Sequence, residues 1–199
     1  MAGPQGGGAS LEEKTVRSTT VFSGRVLTLR VDRVQLPGGR EAERELVIHP
    51  GASAVVAVDG AGEVLLVEQY RYPAGTVLLE IPAGKLDGHE TPVECARREL
   101  LEETGTSAAS WTPLGAVFTT PGFSNEVIHL FLATGLEHCP GAQPDADEVL
   151  RVRRVPVEDA VGMIRRGEIR DAKTIVGLLR ALEGLAAGES AMRDGGARR

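Results

Sequence analysis

The sequence predicts an α+β fold: an α/β/α sandwich built on a mixed sheet, preceded by a β-rich N-terminal arm. Two observations carry this prediction. Strand-like segments flank a single central helix, and two amphipathic helices close the chain. Strands with an apolar face need helices to cover that face, so this order of elements favours a sheet enclosed between helices.

The N-terminal arm is predicted over residues 14–50, after a disordered tail at 1–13. VLTLRVDRVQL (26–36) alternates apolar and polar residues, which is typical of a strand with one buried face. Pro37-Gly38-Gly39 then predicts a turn, and REAERELVIHP (40–50) predicts a second strand. We therefore expect the arm to contain paired strands.

The next strands belong to the main domain. SAVVAVD (53–59) and EVLLVEQYR (63–71) flank Gly60-Ala61-Gly62, so a hairpin is expected there. TVLLEI (76–81) reads as a short apolar strand, which Pro82-Ala83-Gly84 brings to an end.

A helix is predicted over residues 92–104 because both of its ends carry strong signals. Thr91 can cap the free backbone amides, Pro92 suits the first helical position, and Glu94 stands three residues after the cap. Gly105 suits the left-handed conformation that often follows a last helical turn. This pattern fixes the helix to within about two residues.

The rest of the chain completes the sandwich. Three further strand-like segments are WTPLGAVFTT (111–120), EVIHLFLATG (126–135) and VLRVRRV (149–155). The polar segment 136–148 predicts a loop. The closing amphipathic helices are VEDAVGMIRRGE (157–168) and DAKTIVGLLRALEGLAA (171–187). We therefore expect a main domain over 51–187 and a disordered tail over 188–199.

Composition and charge indicate which partners and which cell compartment the protein is expected to have. The 199 residues carry a formal net charge of −6, which argues against nucleic acid or an anionic membrane as a partner. The start, MAGPQGGGAS, lacks the basic and apolar segments of a signal peptide. Cys95 and Cys139 have no metal-ligand spacing and are too few for a disulfide framework, so we expect a cytoplasmic protein with reduced thiols.

Three acids share one face of the predicted central helix. Glu99, Glu102 and Glu103 fall within about 100° of one another on a helical projection. Like charges at this spacing destabilise a bare helix, so we expect a cation to relieve their repulsion. Clustered carboxylates suit Mg²⁺, with Mn²⁺ as the alternative, whereas Zn²⁺ would favour nitrogen or sulfur ligands.

The acids belong to a longer pattern that closely resembles the Nudix box. Its positions are Gly84, then Glu90 after five residues, then after seven more residues Arg98-Glu99-Leu100-x-Glu102-Glu103-x-Gly105. One departure is visible: the family usually has an aliphatic residue after the last glycine, where this chain has Thr106. The side chain at that position packs in the fold and takes no part in the reaction, so the departure does not weaken the resemblance. The resemblance implies a Nudix-type fold and a metal-dependent hydrolase of nucleoside diphosphates linked to another group.

The resemblance also implies roles for individual residues. The expected ligands of the divalent metal are Glu99, Glu102, Glu103 and the backbone carbonyl of Ala83. Glu90 and Arg98 are expected to pair and to brace the loop against the helix. Gly84 is expected to let the backbone bend close to the metal.

Other stretches resemble the ADP-ribose pyrophosphatase group of this family. They are EQYRYP (68–73), LLEIPAGKLD (78–87), TTPGFSNE (119–126) with Pro121 sixteen residues after Gly105, and GEIRDAKTIVGLL (167–179). The resemblance covers roughly residues 15–183. It implies a small-molecule nucleotide sugar as the substrate, with ADP-ribose split into AMP and ribose 5-phosphate.

Within this group, Arg44 and Arg71 match contacts to the diphosphate or the base, and the planar fork of arginine suits phosphate. Glu126 matches a contact to the distal ribose, and Glu148 matches a loop glutamate that acts as general base. The base could instead be Glu102 or Glu103. The resemblance also implies a homodimer whose N-terminal arms are exchanged between subunits.

Two alternatives stay open at this point. Nothing in the sequence excludes GDP-mannose or another nucleoside diphosphate sugar as the substrate. A Nudix-fold module that senses a nucleotide sugar without turning it over is a different class of function, although such modules would be expected to lose acids of the box, and here all are present.

Overall fold

The computed structural model describes residues 10–140 and 149–195. The chain divides into two compact units. The first unit contains the described residues up to His49 together with Thr120–Glu126. The second contains the described residues of Pro50–Thr119 and those from Val127 onward.

The first unit is a three-stranded antiparallel sheet in the order β1-β2-β3. Its strands are β1 (Lys14–Ser23), β2 (Thr28–Gln35) and β3 (Glu41–Ile48). The β2–β3 turn contains Gly38 and Gly39 at φ angles of 95° and 90°, values that favour glycine. The segment Thr120–Glu126 joins this unit through Val47, whose amide donates to the carbonyl of Phe123 at 2.7 Å.

The second unit is a mixed sheet with three helices. Its strands are β4 (Ala52–Val58), β5 (Glu63–Arg71), β6 (Thr76–Glu80), β7 (Ala83–Lys85), β8 (Thr106–Phe118), β9 (Val127–His138) and β10 (Leu150–Pro156). The helices are α1 (Pro92–Thr104), α2 (Val157–Arg165) and α3 (Ala172–Gly195). The main strand order is β10-β5-β4-β9-β8, with β6 paired to β5 and β7 paired to β4. The β4–β9 pairing is parallel and the other pairings are antiparallel.

Strand β4 lies in the middle of this sheet, and all seven of its residues are buried. Its side chains alternate between two apolar clusters, as the period of two in a strand requires. Val55 packs in the cluster that contains Leu100 of α1, and Val56 packs in the cluster that contains Leu178 of α3. Each fully buried Val or Leu contributes about 1.5–3 kcal/mol. The sheet is therefore covered by helices on both faces, which confirms the predicted α/β/α sandwich.

Helix α1 begins and ends at the predicted residues. The amide of Thr91 donates to Glu94 Oε2 at 2.7 Å, and the amide of Glu94 donates to Thr91 Oγ1 at 3.4 Å, which completes the capping box. Gly105 has φ 62° and ψ 31°, and its amide donates to the carbonyl of Leu101. Since both ends are fixed locally, the orientation of the acids on this helix follows from the sequence.

The structure differs from the expectations in several elements, and β9 runs to His138, into the predicted loop 136–148. Strands β1 and β7 were not predicted, because neither shows a long apolar alternation. Helix α3 continues through Gly195, eight residues into the segment for which we expected a tail. This segment contains no proline, and its Ala, Glu, Met and Arg residues favour helix. Among residues 10–140 and 149–195, no helix is both long and apolar enough to cross a membrane.

Candidate active site

Helix α1 presents Glu99 to the short strand β7. The Glu99 residue is only 8% exposed, and its carboxylate lies against Gly84. A Cβ atom added at Gly84 would stand 1.7 Å from Glu99 Oε1 and 2.0 Å from Glu99 Cδ. No side chain larger than hydrogen fits there, so glycine is required at this position if the carboxylate is to stay where it is.

Glu103 approaches the same strand one turn further along α1. Its residue is 4% exposed, and its Oε2 accepts a hydrogen bond from the amide of Ala83 at 3.2 Å. The Ala83-Gly84 backbone is itself fixed, because β7 pairs with β4 at Ala54 and Ser53. The structure thus brings the two buried carboxylates of Glu99 and Glu103 to the backbone of the same two residues, Ala83 and Gly84.

Arg98 of α1 contacts two acids of the helix and one acid of the loop before it. Its Nη2 donates to Glu90 Oε1 at 2.7 Å, and its Nη1 donates to Glu99 Oε1 at 2.7 Å and to Glu102 Oε2 at 3.0 Å. From the sequence, we expected a metal ion alone to relieve the repulsion between the carboxylates. The structure adds Arg98, whose positive charge offsets part of that repulsion.

The electrostatic consequence is clearest at Glu90. The hydrogen bond from Arg98 lowers the pKa of Glu90 from about 4.5 to about 2. The same bond, together with the charge of Glu99, raises the pKa of Arg98 although burial opposes this. Arg98 also donates to the carbonyl of Lys85 at 3.1 Å, so this cluster ties the loop after β7 to α1.

The thiol of Cys95 also contacts the backbone at the start of this loop. Its Sγ lies 3.5 Å from the carbonyl oxygen of Gly84 and 3.4 Å from that of Lys85. Burial, followed by the charges of Glu90 and Glu99, raises the pKa of the Cys95 thiol to about 12. The thiol therefore keeps its proton and acts as a hydrogen-bond donor to these carbonyls.

The donor chemistry of this site fits a hard divalent cation. Across the described part of the chain, no three His, Cys, Asp or Glu side chains are arranged to hold a metal ion together. The reason is visible in the contacts: Glu99 and Glu102 point at Arg98, and Glu103 points at the Ala83 amide. The two buried carboxylates nevertheless meet at the backbone of Ala83 and Gly84, and oxygen donors of this kind suit Mg²⁺.

A second charged cluster, centred on Glu80, was missed by the sequence analysis. The residue is 1% exposed, and Arg71 binds its two oxygens through Nε and Nη2, each at 2.8 Å. Lys173 also donates to Glu80 Oε2 and lies 3.1 Å from Asp171 Oδ2. Burial acts to raise the pKa of Glu80, but the hydrogen bond from Arg71 and the charge of Lys173 bring it below its usual value. A charged residue at the end of the apolar strand TVLLE was the available signal.

The cluster continues to the beginning of α3. Asp171 Oδ2 accepts hydrogen bonds from the amide and the hydroxyl of Thr174, at 3.0 and 2.6 Å, as an N-cap residue does. The hydroxyl oxygen of Thr174 in turn accepts from the amide of Ile81 at 2.9 Å. Ile81 stands two residues before Ala83, so α3 is joined to the segment that leads into the carboxylate site.

The other expected substrate contacts lie in the first unit. Arg44 pairs with Glu13 through two hydrogen bonds of 2.9 and 2.6 Å. Glu126 lies 3.4 Å from His49, between Oε1 and Nδ1. Arg71 belongs to the second unit. Glu148, the expected general base, lies outside the described residues.

Comparison with known families gives two matches that together span most of the chain. Residues 47–177 match the NUDIX domain family. Residues 13–47 match the nucleoside diphosphate sugar hydrolase N-terminal domain.

Two relatives are both named ADP-ribose pyrophosphatase. The Bacillus subtilis (strain 168) protein is 45% identical over 166 residues, covering 83% of this chain and 90% of the relative. The Mycobacterium tuberculosis protein is 40% identical over 168 residues, covering 83% of this chain and 81% of the relative.

A solved structure described as an ADP compounds hydrolase superposes with a TM-score of 0.79. The superposition covers 90% of this chain and 97% of the other, at 22% sequence identity. At that identity the likeness supports the fold.

Proposed function

The chain belongs to the Nudix family, and from this premise we propose that it hydrolyses ADP-ribose to AMP and ribose 5-phosphate with Mg²⁺ as cofactor. One observation carries the proposal: the buried carboxylates of Glu99 and Glu103 converge on the Ala83-Gly84 backbone. The names of the two relatives, both ADP-ribose pyrophosphatases, support the choice of substrate.

The proposed metal ligands are Glu99, Glu102, Glu103 and the carbonyl of Ala83, with Mn²⁺ as the alternative ion. An ion held by these residues would screen the charge of the diphosphate and would lower the pKa of the attacking water. Glu90 and Arg98 hold the loop after β7 against α1 and so keep these ligands in place.

The remaining residues bind the substrate and move a proton. Arg71 donates hydrogen bonds to the diphosphate, Arg44 contacts the diphosphate or the base, and Glu126 contacts the distal ribose. Glu148 accepts a proton from the attacking water, with Glu102 and Glu103 as the alternatives. The water oxygen then bonds to phosphorus, the bridging P–O bond breaks, and AMP and ribose 5-phosphate leave.

We further propose a cytoplasmic homodimer. Strand β1 in the first unit is exposed along its whole length in the single chain, including the apolar side chains of Val16, Val21 and Phe22. A second copy of the chain would bury these side chains. Free thiols at Cys95 and Cys139 are compatible with a reducing compartment.

The test is a substrate panel with and without metal. ADP-ribose, GDP-mannose and NADH are each incubated with Mg²⁺ or with excess chelator, and nucleoside monophosphate is measured chromatographically. We expect AMP from ADP-ribose at the highest kcat/KM, and no product in chelator. Faster cleavage of GDP-mannose would instead assign that substrate. Binding of ADP-ribose without turnover would identify a sensing module, and full turnover in chelator would contradict the metal requirement.

A further inference from the structure

We propose that Lys173 and Glu80 are positioning residues that aim Arg71 at the diphosphate of the substrate, an inference that rests on the proposed function. Glu80 is the common partner: its carboxylate accepts from both Arg71 and Lys173. Lys173 belongs to the segment GEIRDAKTIVGLL (167–179), which the proposed reaction does not otherwise use. Positioning of Arg71 would be the role of this segment.

The geometry of Arg71 leaves one side of its guanidinium group for a ligand. Within the described residues, Arg71 donates hydrogen bonds through Nε and Nη2, both to Glu80. Its side chain is 38% exposed, so part of it reaches solvent although Nε and Nη2 are held by Glu80. A guanidinium held by a carboxylate on one edge presents its other N–H groups in a fixed direction, which suits phosphate oxygens.

Lys173 does not reach the ligand in this arrangement. Its side chain is 11% exposed, and its ammonium group is held between Glu80 and Asp171. Its effect on a bound diphosphate must therefore pass through Glu80. With Lys173 in place, the negative charge of Glu80 is offset by two cations. Glu80 then neutralises less of the positive charge of Arg71, which attracts the diphosphate more strongly.

The cluster is rigid because its members belong to fixed elements. Asp171 caps α3 through Thr174, and Thr174 binds the amide of Ile81. Glu80 and Arg71 lie on paired strands, because β6 pairs with residues 67–71 of β5 and Glu80 is opposite Val67. The hydrogen bond to Glu80 does most to raise the pKa of Arg71, and the charge of Glu103 adds to this effect. A displacement of Glu80 would thus move Arg71 relative to the carboxylate site.

A double-mutant cycle tests the inference. Wild type, Lys173→Met, Arg71→Met and the double variant are titrated with α,β-methylene-ADP, a diphosphate that hydrolysis at the bridge cannot split. Loss of a charge-assisted hydrogen bond weakens binding by about tenfold or more. We expect each single variant to bind about tenfold more weakly, and the double variant to bind no more weakly than Arg71→Met.

Three controls separate positioning from structure. Lys173→Arg keeps the cation and should restore most of the affinity. Arg154→Met removes an ion pair with Asp59 in the same unit and should bind as wild type does. Thermal unfolding of each variant reports whether the fold is intact, and a purely structural role would lower Tm while the folded fraction binds normally.

The outcomes are distinct. Normal binding by folded Lys173→Met, or losses that multiply in the double variant, would overturn the inference. If Lys173→Met does not fold, the cycle is run with Lys173→Arg and Lys173→Gln, and equal affinity in both would also overturn it. Hydrolysis of ADP-ribose by wild type is measured separately. A wild type that binds the analogue with the expected cycle but does not cleave ADP-ribose would contradict the proposed function and leave the positioning role standing.

Discussion

Replacement of Gly84 by alanine should disable the carboxylate site while it leaves the fold nearly intact. The added Cβ would stand 1.7 Å from Glu99 Oε1, whereas real Cβ atoms essentially never approach another atom within 3.0 Å. The carboxylate must therefore retreat by at least 3.0 minus 1.7, or about 1.3 Å. Metal–ligand distances tolerate deviations of only about 0.2 Å, so a Glu99 carboxylate pushed away from the Ala83-Gly84 backbone should bind the proposed ion less well.

The expected magnitudes differ for activity and stability. A misplacement of about 1 Å can cost about 100-fold in kcat, which corresponds to about 2.7 kcal/mol of transition-state stabilisation. The atoms that must move are the end of a flexible side chain. The stability cost is then an unfavourable rotamer of about 0.5–1.5 kcal/mol, together with a weakening of the ion pair between Glu99 and the partly exposed Arg98.

The assay compares Gly84→Ala with Gly88→Ala, a matched control in the loop that follows β7. No atom lies within 4 Å of a Cβ added at Gly88, so this variant should behave as wild type does. Each variant is assayed at saturating ADP-ribose across a Mg²⁺ titration, and its Tm is measured. We expect Gly84→Ala to lose about 100-fold in kcat and to need more Mg²⁺, with a Tm only a few degrees lower. Wild-type kcat and Mg²⁺ dependence in Gly84→Ala would refute the reasoning.

Three further predictions concern the acids and the assembly. Glu103→Gln should lower kcat and weaken Mg²⁺ binding. Glu148→Gln should instead lower kcat by about 10²–10⁴-fold at unchanged Mg²⁺ dependence. If Glu148→Gln keeps the wild-type kcat, the general base is Glu102 or Glu103. The Glu90–Arg98 pair depresses the pKa of Glu90, so its contribution to stability is present above pH 4.5 and is lost as the pH falls towards about 2. The Tm difference between wild type and Glu90→Gln should therefore shrink over that range, and a constant difference would contradict the assignment. Sedimentation at micromolar concentration should show a dimer, and a fully active monomer would oppose this.

Much of the fold could be predicted because its signals are local. The capping box and Gly105 determine both ends of α1 within a few residues of sequence, and they fix which side chains share its faces. The hairpin strands β4 and β5 could be read from their apolar character and the glycines between them. Strand β7 could not, because three residues, Ala83–Lys85, carry no alternation and depend on distant β4 for their hydrogen bonds.

In the candidate site, too, contacts between residues close in sequence could be predicted, and contacts between distant residues could not. The box segment places Glu90, Arg98 and Glu102 close in sequence, so their proximity follows from the loop and one helix. Adjacent helical residues point in different directions, so the Arg98–Glu99 contact depends on the reach of the arginine side chain. Glu80 and Lys173 are 93 positions apart, and only the folded sheet with α3 brings them together.

The position of β4 has a consequence for how the chain folds during synthesis. Ala52 of β4 pairs in parallel with Ile128 of β9, so this pairing closes a loop that spans more than a third of the chain. Loops of this length are costly to close, and parallel pairing forms slowly. Until β9 leaves the ribosome, the apolar strand β4 lacks its parallel neighbour, and that edge remains available to wrong partners. Nascent chains that end before Val127 should therefore depend on chaperones, and the domain should become protease-resistant only after His138 has emerged.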